Sequence, residues 1–170
     1  MNMLRGSLAY LEGVADVSII VVTLFNNPLK NWAVEFLADI LKQKRRIAIP
    51  VSTVIGAYHV ATRYLKLPRL EVKHVLTEMI LTKSPAFYPH ITPDIAIQAI
   101  DYATYYNIEA WDGYIIELAK RLGNSIIYTL DEELSKVKEV VVVNPFPKEL
   151  IKQYHEYMKH YLHMKGKTES

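Results

Sequence analysis

The sequence predicts an α/β fold built on a mainly parallel sheet. Two kinds of segment alternate along the chain: short aliphatic runs bounded by turn residues, and longer stretches in which apolar residues recur every three or four positions. With 170 residues the chain is long enough to bury a core without disulfide support. We therefore expect one globular unit.

Two strands are predicted in the first third of the chain. The first runs into EGVAD at residues 12–16, and the second is RIAIPVS at residues 46–52. Residues 17–25, VSIIVVTLF, are either a strand or a buried helix, because a short apolar run has no period that separates the two. Asn31 is the predicted N-cap of a helix over residues 32–43, since asparagine accepts hydrogen bonds from free N–H groups of a first turn.

Two more helices and a turn follow. Ser52 or Thr53 is expected to cap a helix that runs to Leu65, and after a proline a second helix covers about residues 70–81. SPAFYPH, at residues 84–90, is predicted as a turn.

The next two helices have strong end signals. TPD at residues 92–94 places threonine at the N-cap, proline at the first helical position and aspartate in the positive first turn, and the helix should continue to about Tyr106. Another helix is predicted over residues 109–122, with Gly123 as its left-handed stop.

Two strands and a last helix close the chain. SIIYTL at residues 125–130 and EVVVVNP at residues 139–145 are the predicted strands. We expect residues 1–146 to form the main domain and residues 147–170 to add an amphipathic helix with a disordered tail. Its apolar positions are Leu150, Tyr154, Tyr157, Met158, Tyr161 and Leu162.

Composition excludes several functions. The formal net charge of +2 does not by itself indicate a nucleic-acid binder, and the basic residues between 42 and 46 are interpreted as a solvated helix end. The absence of cysteine excludes zinc ribbons, iron–sulfur clusters and thiol nucleophiles, favours a cytoplasmic protein and, with the scarcity of glutamine, is typical of thermophiles. No segment is predicted to span a membrane or direct export.

Other motifs give no competing function. The sequence has no glycine-rich dinucleotide or phosphate-binding loop and no Gly-x-Ser-x-Gly motif. His155, His160 and His163 are interpreted as part of a solvated helix instead of a zinc site.

Three acidic residues carry the functional prediction. Asp16 and Asp131 each follow a predicted strand, at the edge where open parallel sheets bind ligands. Asp112 lies near the start of the helix that precedes the Asp131 strand, and a right-handed crossover can bring it to the same edge. Converging carboxylates repel each other unless a cation lies between them, and oxygen ligands favour Mg²⁺ or Mn²⁺. Such a site suits metal-assisted cleavage of a phosphodiester.

The same acids also fit structural roles. Asp112 could be a first-turn helix acid, Asp131 an N-cap and Asp16 a turn residue. The pattern of residues does not by itself choose between these roles and a metal site.

VADVSII at residues 14–20 and AWDGYIIELAKRLGNSIIYTLDEEL at residues 110–134 resemble the PIN-domain ribonucleases, including the VapC type of toxin–antitoxin pairs. Those proteins open with a strand ending in Asp-x-Ser or Asp-x-Asn. They close with a helix-borne Asp, a helix stopped by Gly, and a strand ending in Thr-x-Asp. The resemblance covers about residues 12–145 and implies a three-layer α/β/α sandwich around the sheet, followed by the C-terminal helix.

The resemblance also implies a function. Asp16, Asp112 and Asp131 would hold Mg²⁺ or Mn²⁺ and cleave single-stranded RNA, with Ser18 and Thr129 as polar supports. A homodimer is expected and, for a toxin, an antitoxin peptide that offers arginine to the carboxylates. DNA in place of RNA is a lower-ranked alternative.

One departure from the family pattern concerns the second acid. The family has a Glu on the helix after the second strand, and this sequence has Tyr58 or His59 there. Glu35 and Asp39 could replace the missing charge, or His59 could bind Mn²⁺ or a phosphate. The departure keeps a second hypothesis open, a catalytically impaired PIN-like module that binds RNA or a protein partner.

Overall fold

The structure, a computed structural model, describes residues 11–122 and 124–167. The strands are β1 (Gly13–Ala15), β2 (Ile47–Pro50), β3 (Phe87–Tyr88), β4 (Ile126–Tyr128) and β5 (Val141–Val143). The helices are α1 (Val17–Val21), α2 (Lys30–Leu41), α3 (Val51–His59), α4 (Arg69–Leu81), α5 (Pro93–Tyr106), α6 (Ala110–Arg121) and α7 (Lys148–Lys167). A π-helical turn, Val60–Tyr64, extends α3, and a 3₁₀ turn, Glu132–Lys136, follows β4. None of the helices in these two ranges has the length and apolar content needed to cross a bilayer.

All five strands are parallel and lie in the order β3-β2-β1-β4-β5. β1 is central, with Val14 in register with Ala48 of β2 on one side and Ile127 of β4 on the other. The chain order reverses at β1, so the segments after β1 and β4 leave the sheet at the switch point where such folds bind ligands. The predicted α/β fold with a parallel sheet is confirmed.

The central strands separate two apolar cores, because successive strand residues point to opposite faces of the sheet. Ala15, Ile49 and Tyr128 face a core that includes residues of α1 to α4 and the apolar side of α7. Val14 and Ile127 face a second core with residues of α5 and α6. The molecule is therefore the expected α/β/α sandwich plus a C-terminal helix.

The undecided segment after β1 begins as a helix. α1 is only five residues long, and Ile19, Ile20 and Val21 are buried in it. It starts directly after Asp16, so the chain turns away from the sheet at that residue. A strand would have continued past the edge where the acids lie.

Two predicted helix caps are wrong. α2 starts at Lys30, so Asn31 lies inside its first turn; the Leu29 N–H donates instead to Asn27 Oδ1 at 2.9 Å. α3 starts at Val51, immediately after β2, and Thr53 Oγ1 donates to the Pro50 carbonyl at 2.7 Å. Both errors arose because a capping side chain close to the true start looked correct from its type alone.

The second half of the chain follows the prediction more closely. Thr92 is the residue before α5 and Pro93 is its first residue, although the Thr92 hydroxyl donates to the Asp94 carboxylate instead of accepting a backbone N–H. The predicted turn at residues 84–90 contains the short strand β3, whose Phe87 is in register with Ile49. Gly123, the predicted stop of α6, lies outside the described residues.

α7 packs on the first core. The Tyr161 hydroxyl donates to the Leu65 carbonyl at 2.9 Å, and its ring centroid lies 5.6 Å from that of Phe25. Burial raises the pKa of Tyr154 to about 12. The apolar face of α7 therefore covers the layer that contains α1 and α3.

The basic segment at residues 42–46 is only partly a solvated helix end. Arg45 Nε donates to Glu12 Oε2 at 2.7 Å, and its guanidinium lies 5.3 Å from the centre of the Phe36 ring. Lys44 forms a longer, more exposed pair with Asp39. Arg45 therefore ties the segment before β1 to the one before β2.

Candidate active site

Asp16 is the first acid of the site, and the sheet determines its place. Its N–H donates to the Tyr128 carbonyl at 2.9 Å, which continues the pairing of β1 with β4 by one residue. Its side chain then caps α1, where Oδ2 accepts the Ser18 N–H at 3.3 Å. Asp16 is buried although it carries a carboxylate.

Two hydroxyl groups hold that carboxylate. Ser18 Oγ and Thr129 Oγ1 each donate to Asp16 Oδ2 at 2.9 Å. Each hydroxyl also accepts a backbone N–H, from Leu130 at 3.0 Å and from Asp131 at 2.9 Å respectively. Oδ2 is thus fully occupied, whereas Oδ1 accepts no hydrogen bond from the described residues. The predicted supports lie where they can orient Asp16 and leave one oxygen for a ligand.

Replacing Thr129 by valine should destabilise the protein by about 1–3 kcal/mol, because it removes a donor to buried Asp16 and leaves the Asp131 N–H without its acceptor. Urea unfolding of both proteins measures the difference. Thr104→Val is the control, since that hydroxyl is exposed on α5 and its loss should change the free energy of unfolding by less than about 0.5 kcal/mol. Equal losses in the two variants would contradict a supporting role for Thr129.

Asp131 follows β4 and begins the 3₁₀ turn. Its Oδ1 accepts the Glu133 N–H at 2.8 Å, so Asp131 is an N-cap, which is the alternative structural role that the sequence suggested for it. Asp112 lies in the first turn of α6, which was the structural interpretation there. Each acid therefore has a local structural role, and that role does not exclude a shared site.

The charged form of Asp112 is disfavoured by its surroundings. Burial, together with the charges of Asp16, Asp131 and Glu109, raises its pKa to about 7. Among the described residues, no lysine or arginine forms an ion pair with any of the three aspartates. A cation bound here would relieve the repulsion.

This raised pKa predicts a pH-dependent stability in metal-free buffer. The folded pKa is about 7 and the unfolded one is near 3.8, so the stability contributed by the protonated carboxyl is lost as pH rises between these values. Asp112→Asn carries no charge at this position, so its free energy of unfolding should rise relative to that of wild type over that pH interval. The gain should reach on the order of 1–2 kcal/mol, because water screens the partly exposed group. Thermal melts in EDTA measure it, and a gap that does not change with pH would contradict the prediction.

Two adjoining clefts lie at this edge of the sheet. The acidic cleft, of about 460 Å³, is lined by Asp16, Ser18, Glu109, Asp112, Asp131 and Glu133, among others. The aromatic cleft, of about 600 Å³, is lined by Ile55, Gly56, His59, Tyr64, Trp111 and Tyr114, among others. Both clefts share Asp16, Val17, Glu109 and Asp112. The three predicted acids thus all line the acidic cleft.

The donor set fits a hard divalent cation. Every charged group lining the acidic cleft is a carboxylate, and Asp16 Oδ1 is free to coordinate. Within the two described ranges, however, no three acidic or histidine side chains are placed closely enough to form a ready-made metal cage. Mg²⁺ suits such an open arrangement, because it keeps several of its waters and takes only one or two carboxylates directly.

The predicted substitutes for the missing acid divide into two groups. His59 lines the aromatic cleft together with Asp16 and Asp112. Glu35 is exposed on α2 and lines neither cleft, and Asp39 pairs with Lys44. Tyr58 also lies outside both sets of lining residues.

Sequence reasoning missed Glu109 and Trp111. Glu109 precedes α6, lines both clefts and raises the pKa of Asp112. Trp111 lies directly before Asp112 and lines the aromatic cleft. Their closeness in sequence to Asp112 was the available signal, but the rotation of α6 decides that they face the clefts.

Comparison with known proteins agrees with the fold. Residues 14–140 match the family model described as PIN domain. No curated protein matches the sequence significantly.

Proposed function

The chain belongs to the PIN-domain family, whose members are generally nucleases that use divalent metals, and from this premise we propose that it is a metal-dependent endoribonuclease for single-stranded RNA. Asp16, Asp112 and Asp131 would be the acidic ligands of Mg²⁺ or Mn²⁺. The match to the family covers all three positions.

One observation carries the proposal. Three carboxylates from different elements line a single cleft, and no lysine or arginine is among the residues that line it. An acidic cleft repels a phosphodiester unless a cation reverses its charge. A hydrolase of phosphate esters is therefore the function that best explains why the fold tolerates this repulsion.

Each residue has a distinct task in this proposal. Ser18 and Thr129 keep Asp16 Oδ2 occupied, so Asp16 presents Oδ1 to the ligand. Asp131 Oδ1 accepts the Glu133 N–H, and its Oδ2 accepts no hydrogen bond from the described residues. Asp112 opposes both acids from α6. A bound divalent cation supplies an activated water and neutralises charge on the phosphate.

Glu109 is our candidate for the missing fourth acid. Glu109→Gln should weaken Mn²⁺ binding several-fold, because it removes one charge from the rim shared by both clefts. Calorimetric titration measures the affinity. Glu35→Gln is the matched control, since that exposed acid lies outside both clefts and should leave binding unchanged. The opposite result, a loss only in Glu35→Gln, would restore the earlier candidate.

The proposed function is tested by cleavage and metal binding together. We expect the purified protein to bind Mn²⁺ and Mg²⁺ and to cut a single-stranded RNA only when one of them is present. The matched DNA oligonucleotide should be cut more slowly, and equal rates would show that the sugar is not recognised. No cleavage and no binding at millimolar metal would reject the nuclease proposal.

A second candidate function follows from the missing glutamate. Tyr58 or His59 occupies the expected position, and no ready-made cage of three metal-binding side chains exists in the described ranges. Both features are expected of a catalytically impaired PIN-like module that binds RNA or a protein partner. RNA binding without cleavage in any divalent metal would favour it.

Partners and location are further proposals. An antitoxin could offer arginine to the free carboxylate oxygens of the acidic cleft.

Exposed apolar residues on α4 and α5, such as Leu70, Ile97 and Ile100, fit a homodimer contact. Light scattering on the purified protein tests the dimer. The RNA substrate and a sequence without cysteine fit the cytoplasm.

A further inference from the structure

The aromatic cleft is the largest feature beside the acids that metal binding does not explain. Its volume of about 600 Å³ lies in the range of small-molecule pockets and exceeds what a hydrated ion requires. It adjoins the acidic cleft, with which it shares four lining residues. A group bound in it would lie next to a phosphate held at Asp112.

The walls of this cleft offer flat aromatic surfaces. Trp111 is 60% exposed and Tyr64 is 63% exposed, although both line the cleft. The His59 and Tyr64 rings meet edge to face with centroids 5.6 Å apart. Exposed aromatic rings around a concavity are typical of a binding surface.

The backbone at this place departs from a regular α-helix. The Leu65 N–H donates to the Val60 carbonyl at 3.1 Å, five residues back, which gives the wide π-helical turn. This turn extends α3 along the cleft and places both Val60 and Tyr64 in its wall. Such π-helical insertions occur frequently at functional sites.

The wall of the cleft also contains a buried hydroxyl whose hydrogen-bonding capacity is not fully used. Ser52 Oγ is buried in the wall close to the Tyr114 hydroxyl, and it forms no well-aligned hydrogen bond within the described residues. The neighbouring Tyr114 hydroxyl donates to the His90 carbonyl at 3.3 Å. Buried hydroxyls normally have a partner, so a ligand edge with polar atoms is the expected complement.

We propose that the aromatic cleft is a nucleobase subsite, in which an unpaired base of the substrate stacks on Trp111 beside Tyr64 and His59. This inference rests on the proposed function and names what the enzyme selects. A base has both the π-face that the rings accept and a polar edge with which Ser52 can form hydrogen bonds. A base in a duplex is already stacked and paired, so the subsite selects single strands.

Trp111 can be observed separately, because the chain has only two tryptophans. Trp32 is 51% exposed on α2 and lines neither cleft. Trp32→Phe therefore reports on the cleft, and Trp111→Phe is the matched control. Both are made with Asp112→Asn, so that the RNA is not cut.

Oligouridylate should quench Trp111 fluorescence to saturation in the first protein and leave Trp32 fluorescence unchanged in the second. The same RNA annealed to oligoadenylate should bind at least about tenfold more weakly. In the otherwise unchanged enzyme, Trp111→Ala should raise KM for RNA by about tenfold with little change in kcat, since one stacked base contributes that much to affinity. Trp32→Ala should change neither constant.

Metal-dependent RNA cleavage with no response from Trp111 and no change of KM in Trp111→Ala would overturn the subsite but leave the proposed function intact. Quenching by a basic peptide but not by RNA would also overturn it, because the cleft would then accept a protein segment. Quenching by RNA in the Asp112→Asn protein, together with no cleavage by the wild-type protein in any divalent metal, would support the subsite and reject the nuclease. Melting curves confirm that each variant is folded.

Discussion

Asp112→Asn is expected to lower kcat/KM for RNA cleavage at least about 100-fold, while the protein remains folded and becomes more stable in metal-free buffer. Asparagine has nearly the same shape as aspartate but no charge, so it removes one of the carboxylate charges that attract the cation to the acidic cleft. Metal ions contribute several kcal/mol to phosphoryl chemistry, and each factor of ten requires only about 1.4 kcal/mol.

The combination of the two effects makes this variant informative. Substituting a residue that only supports the fold lowers activity and stability together. Asp112 is instead repelled by Asp16, Asp131 and Glu109, so removal of its charge should raise stability while activity falls. Cleavage by product analysis and unfolding by thermal melts are measured on one preparation. Glu35→Gln, which removes a charge outside both clefts, should change neither. Retained cleavage in Asp112→Asn would remove this residue from the site.

Gly113→Ala is expected to destabilise the protein by about 3 kcal/mol or more. A Cβ at Gly113 would lie 2.0 Å from the Ala99 carbonyl oxygen and 2.9 Å from its carbon. These are backbone atoms of α5, so no flexible side chain can move aside and the two helices must separate. The intrinsic gain of alanine in a helix, up to about 1 kcal/mol, is too small to offset this overpacking.

The same separation would displace the residue next to Gly113, which is Asp112. We therefore expect RNA cleavage to fall even in the fraction of Gly113→Ala that remains folded. Gly166→Ala is the matched control, because Gly166 lies on α7 with no atom within 4 Å of a Cβ, and its effect should stay within about 1 kcal/mol. A melting temperature of Gly113→Ala equal to wild type would mean that α5 and α6 separate without cost.

Local patterns determined the architecture. The alternation of aliphatic runs with helical stretches predicted the parallel α/β fold, and the Thr-Pro-Asp signal located the start of α5. Acids placed just after two strands pointed to the edge where a cleft is found. Apolar periodicity and capping chemistry act within a few residues, so one sequence contains them.

Local patterns failed where other contacts in the folded structure decide the conformation of a segment. β3 is two residues long and exists through its pairing with β2, and α1 is a helix although its sequence also suits a strand. Asn31 was a good cap by type, but the chain had already been turned by Asn27. For β3 a pairing distant in sequence outweighed a weak local preference, whereas at the start of α2 another local hydrogen bond, two residues apart, outweighed the predicted cap.

For the site residues too, some information is local in the sequence and some comes only from the tertiary structure. The sequence by itself placed Asp16 and Asp131 after strands and Asp112 near a helix start, because these are local signals, and the resemblance to the PIN family added Ser18 and Thr129 as predicted supports. Only the tertiary structure decided that Thr129 holds Asp16 from 113 residues away. It also decided that Glu109, not Glu35, lines the cleft and that Trp111 and Tyr64 form one wall. Which face a helix turns to its neighbour depends on how the layers pack, and that information is spread over the whole chain.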